Sequence, residues 1–206
     1  MSKNELYPLV DKLDLLVEDF KKLAKSIMIG KSLDMDYFAL ATINRSISIL
    51  QGFRTLYLDE NVLAAVNLIR IQIDNLIRFN SFSIAKDEKY LDYVLSGQAI
   101  NKFKDSDDKK FTDFYLVQET DKIFKIKEIY NKYCGFIHFG KEHLDYIKSN
   151  PNEENVKCRI EIGNLNSFSF QELDDFVKEM VFVSLKIYNM MDLWRKSRLT
   201  ILKNLD

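Results

Sequence analysis

The stretch NVLAAVNLIRIQIDNLIRF, Asn61 to Phe79, decides the fold, because apolar side chains fall on nearly every side of the helix it would form. A helix that is apolar all round is covered by neighbours on every side. We therefore predict that this helix, over 60–83, lies at the centre of a bundle. A very short turn joins it to a second predicted helix over 35–58, so the two should be antiparallel neighbours.

Helices are also predicted on both sides of this central pair. Apolar residues at three- and four-residue steps indicate an amphipathic helix over 6–29 and a short helix over 87–95. Another is predicted over 113–133, with a break near Thr120 to Lys122. Residues 101–113 are polar and charged, which predicts an exposed loop, and Thr112 is placed to cap the helix that follows it.

The last helix has a clear start and a basic end. Ser169 stands three residues before Glu172, the spacing of a capping box, and an apolar stripe then continues for about six turns. The run RKSR, Arg195 to Arg198, suits the negative end of the helix dipole. A wide apolar face on this helix and on the first one makes both of them candidates for a dimer or partner contact.

One segment departs from the helical pattern. VKCRIEIGN, 156–164, alternates apolar and polar residues, which is typical of a half-buried strand, and the nearest partner is GFIHFGKEH, 135–143. We therefore predict an all-α fold, a helical bundle of five to six helices with a small two-strand β patch before the last helix. The expected unit is a single helical domain over 1–206, with 1–30 as a candidate packing or dimerisation arm.

Composition restricts the function classes. Of 206 residues, 47% are hydrophobic and 30% are charged, a globular balance, and 30 basic against 31 acidic residues give a formal charge of -1. Whole-chain charge therefore does not favour strong nucleic-acid binding, although a local basic patch is compatible with it. No run of 18 apolar residues and no leader in MSKNELYPLV are found, so we expect a cytoplasmic protein that does not enter a membrane.

Arg70, Asp74 and Arg78 form the most unusual pattern. They follow one another at steps of four on the central helix, with Asn67 three residues before the first, and so share one stripe. Two interpretations stay open. The stripe is an intrahelical ion-pair ladder at a surface or interface, or it is the wall of an anion-binding or catalytic site in which Asp74 orients the arginines.

The segment YNKYCGFIHFGKEHL, 130–144, contains both histidines. His138 is the best acid–base candidate because its ordinary pKa lies near physiological pH, although a lone histidine among apolar residues is more often structural. Tyr130, Lys132 and His143 around it, together with Asn67 on the central helix, are candidate ligand-binding residues. The spacing of the histidines with Cys134 and Cys158 fits no zinc pattern, so no metal is predicted, and Cys134 is more simply an inert thiol.

The chain lacks the Gly-rich phosphate loops, the GxSxG elbow and the HExxH helix, so the common nucleotide, hydrolase and metalloprotease machinery is not supported. No cofactor is predicted.

Three stretches carry a resemblance: LIRIQIDNLIRF (68–79), VLSGQAINKFKDSDDKKFTDFYLV (94–117) and IYNKYCGFIHFGKEHL (129–144). They resemble a bacterial all-helical family of uncharacterised activity, and the general shape is similar to the HEPN group of toxin and phage-defence proteins. HEPN ribonucleases carry an Arg-x4-6-His motif. The corresponding positions before His138 hold Asn131, Lys132 and Tyr133, so the arginine is absent.

This resemblance implies a HEPN-like bacterial defence or toxin-type protein that binds RNA or nucleotide. As a ribonuclease it would use His138 as the base, Arg70 and Arg78 at the phosphate, and Asp74 to hold the arginines. The alternative is a non-catalytic helical interaction protein that forms a homodimer or holds a protein partner.

Overall fold

The structure is a computed structural model, and it describes residues 3–87, 89–138, 140–141, 148–149, 159–160 and 168–203. Within these residues the chain forms a bundle of seven α-helices, which confirms the predicted all-α bundle. They are α1 (Lys3–Ile27), α2 (Asp34–Leu58), α3 (Val62–Ala85), α4 (Lys89–Leu95), α5 (Asp113–Phe124), α6 (Lys127–Ile137) and α7 (Phe170–Lys203).

The central position of α3 is confirmed. It packs against α2, α5, α6 and α7, and most of its apolar side chains are buried. Helix α2 is antiparallel to it, and the two approach closely at Gly52, where an added Cβ would lie 3.3 Å from Leu68 Cδ1. Helix α1 packs against α2 and α7 and contributes a fully buried row to the core, so the region considered as an arm is part of the bundle's packing.

The predicted helix over 113–133 is two helices. The chain breaks at Lys125, which adopts a left-handed conformation (φ 56°), and at buried Ile126, rather than at Thr120 to Lys122. Asp121 accepts a hydrogen bond from the Lys127 backbone N–H at 2.8 Å and so caps α6 from the preceding helix. This break raises the number of helices above the predicted five to six.

Residues 101–113 are less exposed than their polarity predicts. Phe103 and Phe111 are buried, and both contact the ring of Tyr90. Their backbones pair through the Phe111 N–H and the Phe103 carbonyl at 3.0 Å. The charged residues between them form a short exposed tip, so two aromatic anchors hold the segment against α3 and α4. Thr112 caps α5 as predicted, because its hydroxyl accepts the Tyr115 N–H.

The predicted β patch is not confirmed. Residues 135–137, which were expected to supply one strand, continue α6 as a helix. A two-residue antiparallel pair joins Lys148–Ser149 to Arg159–Ile160, which is too short to form the half-buried strand expected. Most of 156–164 lies outside the described residues.

The end of α7 is fixed by a buried ion pair. Arg198 donates to Asp36 Oδ2 at 2.8 Å and to the carbonyls of Ile29 and Lys31 at 2.9 and 2.7 Å. Trp194 Nε1 donates to the other oxygen of Asp36 at 2.9 Å. The basic run was predicted to suit the helix dipole, and Arg198 has an additional role, because it clamps α7 onto the α1–α2 turn.

The predicted capping box at the start of α7 is confirmed. The Ser169 hydroxyl accepts the Glu172 N–H, and the Glu172 carboxylate accepts the Ser169 N–H at 2.8 Å. No helix in the described residues is long and apolar enough to cross a membrane.

Candidate functional site

The charged stripe of α3 belongs to a network that joins three helices. Asp74 accepts from Arg78 Nε at 3.2 Å and from Arg45 of α2 at 3.4 Å. Asp113, the first residue of α5, bonds to Arg78 and lies 3.4 Å from Arg70 Nη2. We call these five residues the arginine cluster. Its charges alternate in space, so each carboxylate lies between two guanidinium groups.

The intrahelical ladder is therefore only half of the arrangement. Asp74 pairs with Arg78 along α3, but Arg70 turns to Asp113 on α5 rather than to Asp74. The stripe thus acts between helices, and it explains how α3 tolerates three charged residues in a mostly buried position.

Arg70 is held by α6 as well as by α5. Its guanidinium carbon lies 4.2 Å from the centre of the Tyr130 ring, and its Nη2 donates to the Tyr130 hydroxyl at 3.0 Å. Its Nε donates to Cys134 Sγ at 3.4 Å. Burial opposes the charge of Arg70, but Cys134, Tyr130 and Asp74 together outweigh it and raise the pKa of the guanidinium. Arg70 is therefore a permanently charged link between α3 and α6.

A hollow opens beside the other end of the cluster. It lies between α2, α3 and the turn at 99–101 and has a volume of about 430 Å³. One wall is apolar and the other carries the charges of Arg45, Asp74 and Arg78. The residues that line it are Phe38, Ala41, Thr42, Arg45, Asp74, Asn75, Arg78, Ala99, Ile100 and Asn101. We call this space the α2–α3 hollow.

Two polar atoms near the cluster lack a hydrogen-bond partner in the described part of the chain. Arg78 Nη1 is buried without an acceptor, and Asn67 Oδ1 is buried without a donor. The Asn67 amide nitrogen instead bonds to the Leu63 carbonyl on its own helix. A buried donor without an acceptor is costly, so Arg78 has bonding capacity that the protein itself does not use.

The other predicted site residues occupy different surroundings. His138 follows the last residue of α6 and is exposed, one helical turn beyond Cys134. Among the described residues its side chain makes no hydrogen bond or ion pair. Lys132 faces α7, where it bonds to both oxygens of Glu179 at 2.8 and 3.0 Å, on a different side of α6 from Tyr130. His143 lies outside the described residues.

Arg45 and Asp113 were missed by the sequence reasoning. Arg45 belongs to a helix whose apolar pattern indicates packing in the core. Asp113 follows the capping residue Thr112, where an acidic residue is common. The sequence contained one indication of Asp113. Two arginines and a single aspartate on a buried helix leave one cation without a counter-charge, and a carboxylate from another element must supply it.

Among the residues that the structure describes, no group of three His, Cys, Asp or Glu side chains is placed to hold a metal ion. No protein family, curated protein or solved structure matches this chain at a significant level.

Proposed function

We propose that this chain binds a phosphate group of RNA or of a nucleotide in the α2–α3 hollow, as a cytoplasmic, HEPN-like bacterial defence or toxin-type protein. The observation that carries the proposal is the pair Arg45 and Arg78 on one wall of the hollow, together with the unused buried nitrogen of Arg78. A planar guanidinium presents paired N–H donors that match two phosphate oxygens.

The charge of the cluster supports an anionic ligand. Three arginines against two aspartates leave an excess of one positive charge, and its natural counter-ion would come from outside the protein. Arg45 is the most exposed arginine of the cluster, at 47% against 11% for Arg70 and 20% for Arg78, and its contacts with Asp74 are long, at 3.4 Å. It can turn toward a phosphate at little cost.

A binding titration with a matched control tests the proposal. Arg45→Ala should weaken binding of a labelled nucleotide or short RNA by about tenfold, as expected for a lost charged hydrogen bond. The control is Arg54→Ala, which removes another arginine of α2. Arg54 does not line the hollow, and its Nε lies 3.0 Å from the carboxylate of Asp14. Equal affinity of the Arg45 variant and the unchanged protein for both ligands would refute the proposal.

The ribonuclease form of the proposal assigns the general base to His138. Its structural link to the arginine cluster is Cys134, one turn earlier on α6, which contacts Arg70, whereas His138 is not among the residues that line the hollow. Labelled RNA incubated with the protein and with His138→Ala tests it. Loss of cleavage in the variant supports the assignment, and cleavage that persists unchanged in the variant contradicts it.

A second candidate function is a non-catalytic interaction protein that forms a homodimer. The observation in its favour is a shallow apolar groove of about 200 Å³ between α1 and α7, lined in part by Val177, Val181 and Phe182, with exposed Leu185 at its edge. Leu185→Glu should lower the mass measured by light scattering from that of a dimer to that of a monomer. A monomer for the unchanged protein at high concentration would contradict this function.

A further inference from the structure

Three aromatic side chains are strongly exposed in the described part of the chain: Tyr37 at 62%, Phe114 at 69% and Phe170 at 49%. None of the three contacts another aromatic ring among the described residues, whereas most other rings pack in the core. A large ring left in water forgoes the stabilisation that its burial would give. Two of the three, Tyr37 on α2 and Phe114 on α5, lie on helices that the arginine cluster joins.

Tyr37 lies on α2, which forms one side of the α2–α3 hollow, although it is not itself one of the lining residues. It shares one stripe of α2 with Ala41 and Arg45, one and two helical turns further on, and both of these line the hollow. The next residue, Phe38, also lines the hollow and packs against Phe79 and Phe82 of α3. The backbone that carries Tyr37 is therefore rigid, while its ring is free to meet a ligand.

Phe114 lies on the α5 side of the same cluster. It directly follows Asp113, whose carboxylate bonds to Arg78 and approaches Arg70. The Thr112 cap and the buried Leu116 and Val117 fix the first turns of α5, so Phe114 is presented to solvent from a well-anchored helix.

We infer that Tyr37 and Phe114 are base-stacking residues that hold unpaired bases of a nucleic-acid strand whose phosphate occupies the α2–α3 hollow. The inference rests on the proposed function. Exposed rings beside a cationic groove are how proteins hold single strands, because every base has a flat face and stacks without regard to sequence. A duplex hides these faces, so the rings select for unpaired strands.

The test compares three probes by fluorescence anisotropy: a labelled single-stranded RNA, its duplex, and an abasic strand with the same number of phosphates. The single strand should bind most tightly. Tyr37→Ala and Phe114→Ala should each weaken its binding roughly tenfold, with no effect on the abasic strand. Tyr37→Phe keeps the ring and should bind normally. Phe170→Ala, which removes the exposed ring at the start of α7, is the matched control.

The outcomes separate this inference from the proposed function. If the abasic strand binds as tightly as the intact strand and its binding depends on Arg45, the phosphate site stands and the stacking inference is overturned. If neither strand binds, the proposed function fails with it. Unchanged affinity of both alanine variants for the intact strand also overturns the inference, and it would favour a protein partner for these rings.

Discussion

Removing Arg198 should strongly destabilise the fold, because it leaves the Asp36 carboxylate buried without its cation. The two side chains are only 2% and 5% exposed, and they join residues that are far apart in the chain. Arg198→Met keeps the apolar stem and removes the charge and all three hydrogen bonds. This substitution therefore isolates the electrostatic contribution of the clamp from its packing.

The expected loss of stability depends on the hydrogen bonds that Asp36 retains in the variant. Breaking a buried ion pair by removing one partner costs about 3–5 kcal/mol. Asp36 still accepts from the Leu33 N–H and from Trp194 Nε1, both at 2.9 Å, so we expect the lower end of that range. For a chain of this length, a loss of about 3 kcal/mol lowers the melting temperature by about 6–12 °C.

The assay is urea denaturation followed by tryptophan fluorescence. Trp194 is the only tryptophan of the chain, and its indole bonds directly to Asp36, so it reports on the clamp itself. The control is Arg195→Met, which breaks a partly exposed pair with Asp192 one turn earlier on α7. Such a pair contributes at most about 1 kcal/mol.

A double substitution decides whether the pairing itself is responsible. Asp36→Asn together with Arg198→Met removes both charges, so it should cost less than the sum of the two single changes. If Arg198→Met costs no more than Arg195→Met, or if the double variant shows the full sum, the buried charge is not what makes the clamp important.

Three further outcomes are expected. Asp113→Asn should tighten phosphate binding up to about tenfold in a calorimetric titration, because Arg70 and Arg78 lose an internal anion that competes with the ligand; weaker binding would contradict this. RNA affinity should fall only gently with salt, with a log–log slope of about -0.7 for the one phosphate held in the hollow, and a slope several times steeper would place the contact on a larger basic surface. Burial, the first cause in each case, raises the pKa of Tyr57, Tyr90 and Tyr115 to about 12. Because folding favours the neutral hydroxyls, the stability that these three tyrosines contribute to the fold is fully present below about pH 10. It is lost as the pH rises through about 12, so tyrosinate absorbance and loss of helix should rise together.

The parts of the fold that the sequence predicted are those that periodicity encodes. The apolar surface of α3 placed it at the centre, and the Ser169–Glu172 spacing marked the start of α7, because both signals lie within a few consecutive residues. The break at Lys125 has no such marker, since neither glycine nor proline stands there. The alternation over 156–164 predicted a strand that pairs with 135–143. Residues 135–137 are instead helical, because α6 extends through Ile137.

The polar contacts could not be read in the same way. Arg198 and Asp36 are 162 residues apart in the chain, and neither position breaks a local pattern. Arg70 and Arg78 were visible because charge is conspicuous on an apolar helix, whereas Arg45 and Asp113 occupy positions where charge is ordinary. A functional charge can thus be predicted from the sequence where its neighbours in the chain are apolar. It cannot be predicted where its unusual contacts form only after folding.

The charge balance of α3 shows how much can be inferred from charged residues on an apolar helix. A buried helix with two arginines and one aspartate needs a further carboxylate, and α5 supplies it as Asp113. Arg45 then restores the positive excess that Asp113 had removed, and it does so at the open edge of the hollow, where its bonds to Asp74 are long. If the cluster served only to join helices, the third arginine would be superfluous. Its position in the lining of the same hollow as Arg78 is what favours an anion from outside the protein.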